Sequence, residues 1–178
     1  MRLFLCILTA MYFQQNLTIF EFNDNCNLQL WGVVDDNVMG GISNGQLLLN
    51  DHGVGVFKGH VSIENNGGFS SIQCRTKPIE INNLNTIVLV IKGDGSLFQF
   101  RVKNKLNDHH SYTYDFKTSG KWETIHIPLS DLEASFRGFK LYLPNFNKNI
   151  IEQIGFLKSA KSEVDFKLEL KSIGLTRQ

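Results

Sequence analysis

Leu97-Phe98-Gln99-Phe100-Arg101-Val102-Lys103 alternates without a break: Phe98, Phe100 and Val102 share one face, and Gln99, Arg101 and Lys103 share the other. A period of two marks a half-buried strand, with one face in a core and the other in water. The end of the chain repeats the pattern, with Val164, Phe166, Leu168 and Leu170 alternating with Asp165, Lys167, Glu169 and Lys171. Elsewhere, short apolar or alternating runs are separated by Gly, Asn and Asp. They give candidate strands at 17–22, 28–34, 46–49, 55–63, 69–76, 86–92, 97–103, 111–117, 123–128, 138–143, 151–157 and 164–175. This spacing predicts an all-β sandwich. Helical signal is confined to Ser130-Asp131-Leu132-Glu133, a cap-like start with Leu132 and Phe136 at i, i+4, which gives one short helix or turn. No βαβ rhythm is present, which removes the parallel α/β folds.

Composition agrees. The chain has 178 residues, with 14 Phe and 15 Gly against three Pro, a mix that favours sheets joined by tight turns. Its 18 basic and 17 acidic side chains leave a net charge of +1, without the one-signed field that phosphate-backbone binding requires. Neutral ligands or proteins are the expected partners, not nucleic acid. A chain of this size buries enough surface to need neither a disulfide framework nor a metal.

The N-terminus reads differently. After Met1 and Arg2, residues 3–13 are apolar apart from Thr9, and Gln14 begins a polar stretch. At about 1.5 Å per residue a helix of that length crosses only about half of a bilayer core, so no stable membrane span is expected. The pattern matches a secretory signal over residues 1–15, followed by one domain over 16–178, with a mature N-terminus between Phe13 and Leu17. This reading favours export, periplasmic or secreted, over a cytoplasmic protein starting at Met11. Cys6 leaves with the signal; Cys26 and Cys74 pair only if their Cα atoms come within about 7 Å, and two free thiols are the expected outcome.

Two Gly-rich stretches stand out. Trp31-Gly32-Val33-Val34-Asp35-Asp36-Asn37-Val38-Met39-Gly40-Gly41-Ile42-Ser43-Asn44-Gly45 offers acidic and amide oxygens beside glycines that take positive φ. Its adjacent carboxylates repel unless backbone N–H groups, a cation, or a basic side chain such as Arg101 or Arg137 compensates one of them. The expectation is a structural loop first and a binding surface second. Glu64-Asn65-Asn66-Gly67-Gly68-Phe69-Ser70-Ser71 and Gly93-Asp94-Gly95 read as hairpin turns. Trp31 and Trp122 are expected in the core. No catalytic residue, metal ligand set or cofactor is assigned: the cysteines show no zinc-site spacing, no nucleophile elbow accompanies the histidines, and consecutive aspartates on an extended segment point apart.

Taken together, Trp31 with Val34-Asp35-Asp36-Asn37-Val38-Met39-Gly40-Gly41-Ile42-Ser43, Phe57-Lys58-Gly59, Asn66-Gly67-Gly68-Phe69-Ser70-Ser71, Lys92-Gly93-Asp94-Gly95, Trp122, Ile127-Pro128-Leu129 and Arg137-Gly138 resemble the complex I intermediate-associated protein 30 family across about residues 17–175. The resemblance implies a jelly-roll β-sandwich similar to galactose-binding-like domains, in a free-standing bacterial-type member. It also implies a non-catalytic domain acting by protein contacts in assembly or chaperoning, on a protein partner such as respiratory complex subunits. Candidate contact residues are Asp35, Asp36, Asn37, Met39, Gly40, Gly41, Ser43, Asn66, Gly67, Gly68 and Phe69 in the two loops, with Arg137 and Tyr142. The same sandwich resembles carbohydrate-binding modules, and the alternative is a glycan-binding module. There Tyr112, Tyr114 and Tyr142 supply stacking surfaces, and Gln99 and Arg101 supply hydrogen bonders.

Overall fold

The computed structural model describes residues 16–177. The export segment expected at 1–15, with Cys6, lies outside the described residues, as do the side chains of Val38, Met39 and Asn66. Thirteen strands follow in order: β1 (Asn16–Glu21), β2 (Trp31–Asp35), β3 (Asn44–Leu49), β4 (Gly55–Val61), β5 (Phe69–Glu80), β6 (Thr86–Gly93), β7 (Leu97–Lys103), β8 (Ser111–Lys117), β9 (Glu123–Pro128), β10 (Glu133–Phe136), β11 (Phe139–Lys140), β12 (Ile150–Ser159) and β13 (Val164–Thr176). They form two antiparallel sheets. One runs β3-β4-β13-β6-β9, with β1 paired to the far end of β13; the other runs β11-β10-β8-β7-β12-β5-β2. The result is the expected all-β, jelly-roll sandwich.

The alternation read from the sequence sets the inner faces. Phe98, Phe100 and Val102 of β7 meet Phe156 and Ile154 of β12, Ile72 of β5, and Leu168 and Leu170 of β13, all essentially inaccessible to water. The rings interlock edge to face, with Phe100 5.3 Å from Phe156 and Phe57 4.8 Å from Phe166. Trp31 is buried as expected. Cys26 and Cys74 are both free thiols, and burial pushes the Cys74 pKa up to about 11. Among the described residues no helix is long and apolar enough to cross a membrane.

Four local expectations need correcting. The turns at Glu64–Asn66 and 93–95 are not hairpins: β4 and β6 lie in one sheet while β5 and β7 lie in the other, so both turns carry the chain across the sandwich. A glycine turn supplies positive φ whichever sheet comes next; Gly68 has φ 138° and Gly95 φ 91°. The short helix or turn expected at Ser130 is a 3-10 turn at Leu129–Asp131, and the i, i+4 pairing of Leu132 with Phe136 does not form because the next residues pair with β8. There Leu132 and Ala134 are buried between outward Glu133 and Ser135, a period-two reading that the i, i+4 spacing hid. Trp122 is 46% exposed rather than buried, since it ends the β8 to β9 connection beyond the cover of either sheet.

Candidate functional site

The outer face of the seven-stranded sheet is mostly polar, with Leu157 and Val34 as its apolar members. Because Phe98, Phe100 and Val102 point inward, Gln99, Arg101 and Lys103 point out, and register aligns them with neighbours into three rows. In the middle row Glu133, Thr113, Arg101, Gly155, Gln73 and Gly32 lie side by side across β10, β8, β7, β12, β5 and β2. On one side Gln153 sits between Lys103 and Arg75, and Ser135 pairs with Ser111 and with Lys140. On the other are Asp115, Gln99, Leu157, Ser71 and Val34. The small residues Ser71, Ser111, Thr113 and Ser135 are buried among longer neighbours, which recesses the face, and the Ser71 and Thr113 hydroxyls donate to the backbone carbonyls of Val34 and Glu133.

Gly155 is required at the centre, since a Cβ there would lie 2.5 Å from the Ile72 carbonyl oxygen. A shallow notch of about 10 Å³ lies at this point, lined by Arg101, Gln73, Gln153 and Ser111. Burial lowers the Arg101 pKa, reflecting a guanidinium drawn partly out of water. Toward the edge, Gln99 Nε2 donates to Asp115 Oδ1 at 2.8 Å, and Lys140 pairs with Glu133.

At the end of this sheet, β10 and β11 are joined by Arg137 and Gly138, with φ 51° and 80°. Both angles are positive, as a tight primed hairpin turn demands. The turn and the residues after it expose a run of apolar side chains: Phe136, Phe139 (76% exposed), fully exposed Tyr142, and Leu143. The Arg137 guanidinium lies 5.4 Å from the Phe136 ring centre.

The acidic loop is built around Asp36, only 2% exposed. Its carboxylate accepts hydrogen bonds from Ser43 N–H (3.1 Å) and Oγ–H (2.5 Å), from Gly68 N–H (2.7 Å) and from Phe69 N–H (3.2 Å). Burial opposes ionisation, but these donors outweigh it and hold the carboxyl below its usual 3.8. Asp35 Oδ2 accepts from Gly45 N–H at 3.1 Å. Backbone N–H groups and a serine thus compensate Asp36; neither Arg101 nor Arg137 forms an ion pair with it. A Cβ at Gly41 would lie 2.2 Å from Asp36 Oδ1, so that glycine lets the loop close on the carboxylate. Among the described residues no group of three or more His, Cys, Asp or Glu side chains converges as metal ligands.

The network continues outward. Ser43 Oγ accepts from Ser62 N–H at 2.9 Å, Ser62 Oγ–H donates to Glu163 Oε1 at 2.9 Å, and His60 bridges Glu163 (2.6 Å) and Asp165 (2.8 Å). Hydrogen bonds donated to Asp165 first and to Glu163 second raise the His60 pKa above 6.5. A raised folded-state pKa stabilises the fold fully below about pH 6.5 and progressively less as pH rises through the folded value. The melting temperature of the wild type is therefore expected to fall more than that of His60→Gln as pH rises from 6.5 to 8.5. Parallel curves for the two proteins would show that His60 carries no such linkage.

The sequence-derived candidates thus separate. The Asp36, Gly41 and Ser43 group closes with Gly68 and Phe69 into one hydrogen-bonded loop cluster; Asn37 and Gly40 are exposed on it, and Gly67 lies against it. Gln99 and Arg101 lie on the recessed face. Tyr112 and Tyr114 point the other way, with Tyr112 buried against Phe146 at 5.0 Å and Tyr114 packed on the core. Arg137 and Tyr142 sit on the apolar rim. Gln73, Arg75, Lys103, Gln153 and Gly155 were not singled out from the sequence. Lys103 shares the alternation of Arg101, but nothing local reveals that β12 and β5 lie beside β7.

Residues 20–170 match the family described as Complex I intermediate-associated protein 30. No curated protein sequence matches the chain. Among solved structures, the family 11 carbohydrate-binding module of a cellulosomal cellulase from Clostridium thermocellum superimposes with a TM-score of 0.66 at 15% identity, covering 91% of this chain and 93% of that one. The same module in complex with a β-1,3-1,4-mixed-linked tetrasaccharide gives 0.66 at 16% identity, covering 90% and 94%. A family 29 carbohydrate-binding module gives 0.55 at 10% identity, covering 92% and 89%. At these identities the likeness is one of fold.

Proposed function

The chain belongs to the complex I intermediate-associated protein 30 family, and from that premise we propose that it is a non-catalytic binding domain acting through protein contacts in assembly or chaperoning. The observation that carries this reading is the apolar rim of Phe136, Phe139, Tyr142 and Leu143. Exposed aromatics gathered on one short edge are costly in water and are the residue type that anchors protein interfaces. The edge strand β11 is only two residues long, which limits unwanted strand pairing and leaves the side chains as the contact. Subunits of a respiratory complex are the partners the family description suggests.

The test is complementation of a strain lacking the protein, with assembled complex I measured on native gels. Wild type is expected to restore the complex, and a Phe139→Asp, Tyr142→Asp double variant with an unchanged melting temperature is expected to fail. Full assembly in the deletion strain would overturn the reading.

A second reading, a glycan-binding module, is favoured by the recessed polar face with its central notch. The unengaged side-chain amides of Gln73 and Gln153 suit a hydroxyl-rich ligand, with Arg101 beside them and Gln99 held toward the edge by Asp115. Exported location accompanies this reading. Affinity electrophoresis in gels containing soluble glycans tests it, with retardation lost in Arg101→Ala expected. Free migration through every glycan would count against it.

A further inference from the structure

The charges of the recessed face are unevenly placed. Arg75 on β5 and Lys103 on β7 flank Gln153 of β12, while Arg101 lies two residues before Lys103 and opposite Gly155. At a strand spacing of about 4.8 Å, Arg75 and Lys103 stand about 10 Å apart, with Arg101 about 7 Å along the strand from Lys103. Three cations thus surround one amide and one notch, in a chain whose net charge is only +1.

None of the three has a carboxylate partner among the described residues. Lys103 Nζ donates to the backbone carbonyl of Asp108 at 2.8 Å, which fixes the ammonium without neutralising it. The acids of the face, Asp115 and Glu133, lie toward its edge and are engaged by Gln99 and Lys140. The side-chain amides of Gln73 and Gln153, on the paired strands β5 and β12, make no hydrogen bond among the described residues and are free to donate and accept.

An unneutralised, partly dehydrated guanidinium costs free energy, and a neutral sugar does not relieve that cost. A carboxylate does: the planar fork of Arg101 donates to its two oxygens side by side, with Arg75 and Lys103 adding attraction from either flank. The free side-chain amides of Gln73 and Gln153 then suit the uncharged hydroxyls of the same sugar.

We propose that the face around Gly155 binds an acidic oligosaccharide, with the carboxylate of one uronate ring on Arg101 and its hydroxyls on Gln73 and Gln153. The proposal rests on the glycan-binding reading and narrows it to a class of sugar. The flanking cations then select against neutral glucans by leaving their own charge unmatched when such a chain covers them.

Isothermal titration of the full chain with trigalacturonate tests this, beside the carboxyl-reduced trimer and a neutral mixed-linked tetraglucoside. Trigalacturonate alone is expected to bind. Arg101→Gln is expected to weaken it at least tenfold, and Arg101→Lys nearly as much because the fork is lost, whereas Lys103→Ala loses only a few-fold. Since Arg101 points away from the core and its burial costs free energy, the Arg101 variants are expected to melt no lower than the wild type. Amide-shift mapping on the wild type provides a readout independent of any variant, with perturbations expected in β5, β7 and β12. Arg101→Lys binding as tightly as wild type would reduce the effect to diffuse charge attraction and overturn the proposal. Equal affinity for the neutral tetraglucoside would overturn it while leaving the glycan reading standing. Absence of binding to every sugar would remove both.

Discussion

Replacing Trp31 with alanine is expected to lower the unfolding free energy by about 3 to 5 kcal/mol, the usual cost of truncating a large buried aromatic. Trp31 is 8% exposed and opens β2 opposite Cys74 of β5. Its ring touches Phe20 at 5.4 Å, Phe22 at 5.5 Å and Phe156 at 6.5 Å, so one side chain joins β1, the segment after it and the second sheet. Removing it opens a cavity whose walls belong to both layers, and rigid strands cannot collapse into such a gap. For a domain stabilised by about 5 to 15 kcal/mol, the loss approaches half of the total. Trp31→Phe is the control: the indole Nε1 is buried without a hydrogen-bond partner, so the smaller ring gives up volume but no bond. Urea melts of the two variants check this. A Trp31→Ala midpoint equal to that of the wild type would show that the cluster does not hold the layers together.

Asp36→Ala is expected to cost about 3 kcal/mol, since it strands the N–H groups of Ser43, Gly68 and Phe69 and the hydroxyl of Ser43. Partial water access at Gly68 and Phe69 keeps the loss below the sum of separate penalties. The loop after β2 and the crossover before β5 are tied through this one carboxylate, so both should loosen together. The pH dependence follows in sign. A carboxyl whose folded pKa lies below 3.8 stabilises fully above that value and loses its contribution as pH falls through the folded pKa. The gap in stability between wild type and Asp36→Asn should therefore be constant from pH 5 to 7 and shrink below about pH 4. Melts in calcium and in chelator should coincide for the wild type if backbone donors are the compensation. A chelator-sensitive wild type beside an insensitive Asp36→Ala would instead identify the loop as a cation site.

Much of the architecture was legible along the chain because the face a strand residue takes is a local property of the pleat. Phe98, Phe100, Val102, Phe166 and Leu168 could be assigned to the core from alternation alone, and all five are buried. The ordered Trp, Asp-Asp-Asn and glycine motifs carried the family resemblance. Turn positions were legible too, because positive φ selects glycine wherever the chain is going. Their destination was not: the same Asn-Gly-Gly chemistry serves a hairpin or a passage between sheets, and the choice depends on which strands bury their apolar faces against each other.

The candidate sites divide along the same line. That Asp35-Asp36 needed compensation followed from the repulsion of adjacent charges. That Asp36 is compensated by Gly68 and Phe69 is a matter of tertiary packing, since those donors come from beyond two intervening strands. Likewise the sequence determined that Arg101 and Lys103 face water, through the period of β7. Only the folded sheet decided that Arg75, Gln73, Gln153 and Gly155 stand beside them, because cross-strand neighbours are chosen by long-range hydrogen-bond pairing that no local pattern encodes.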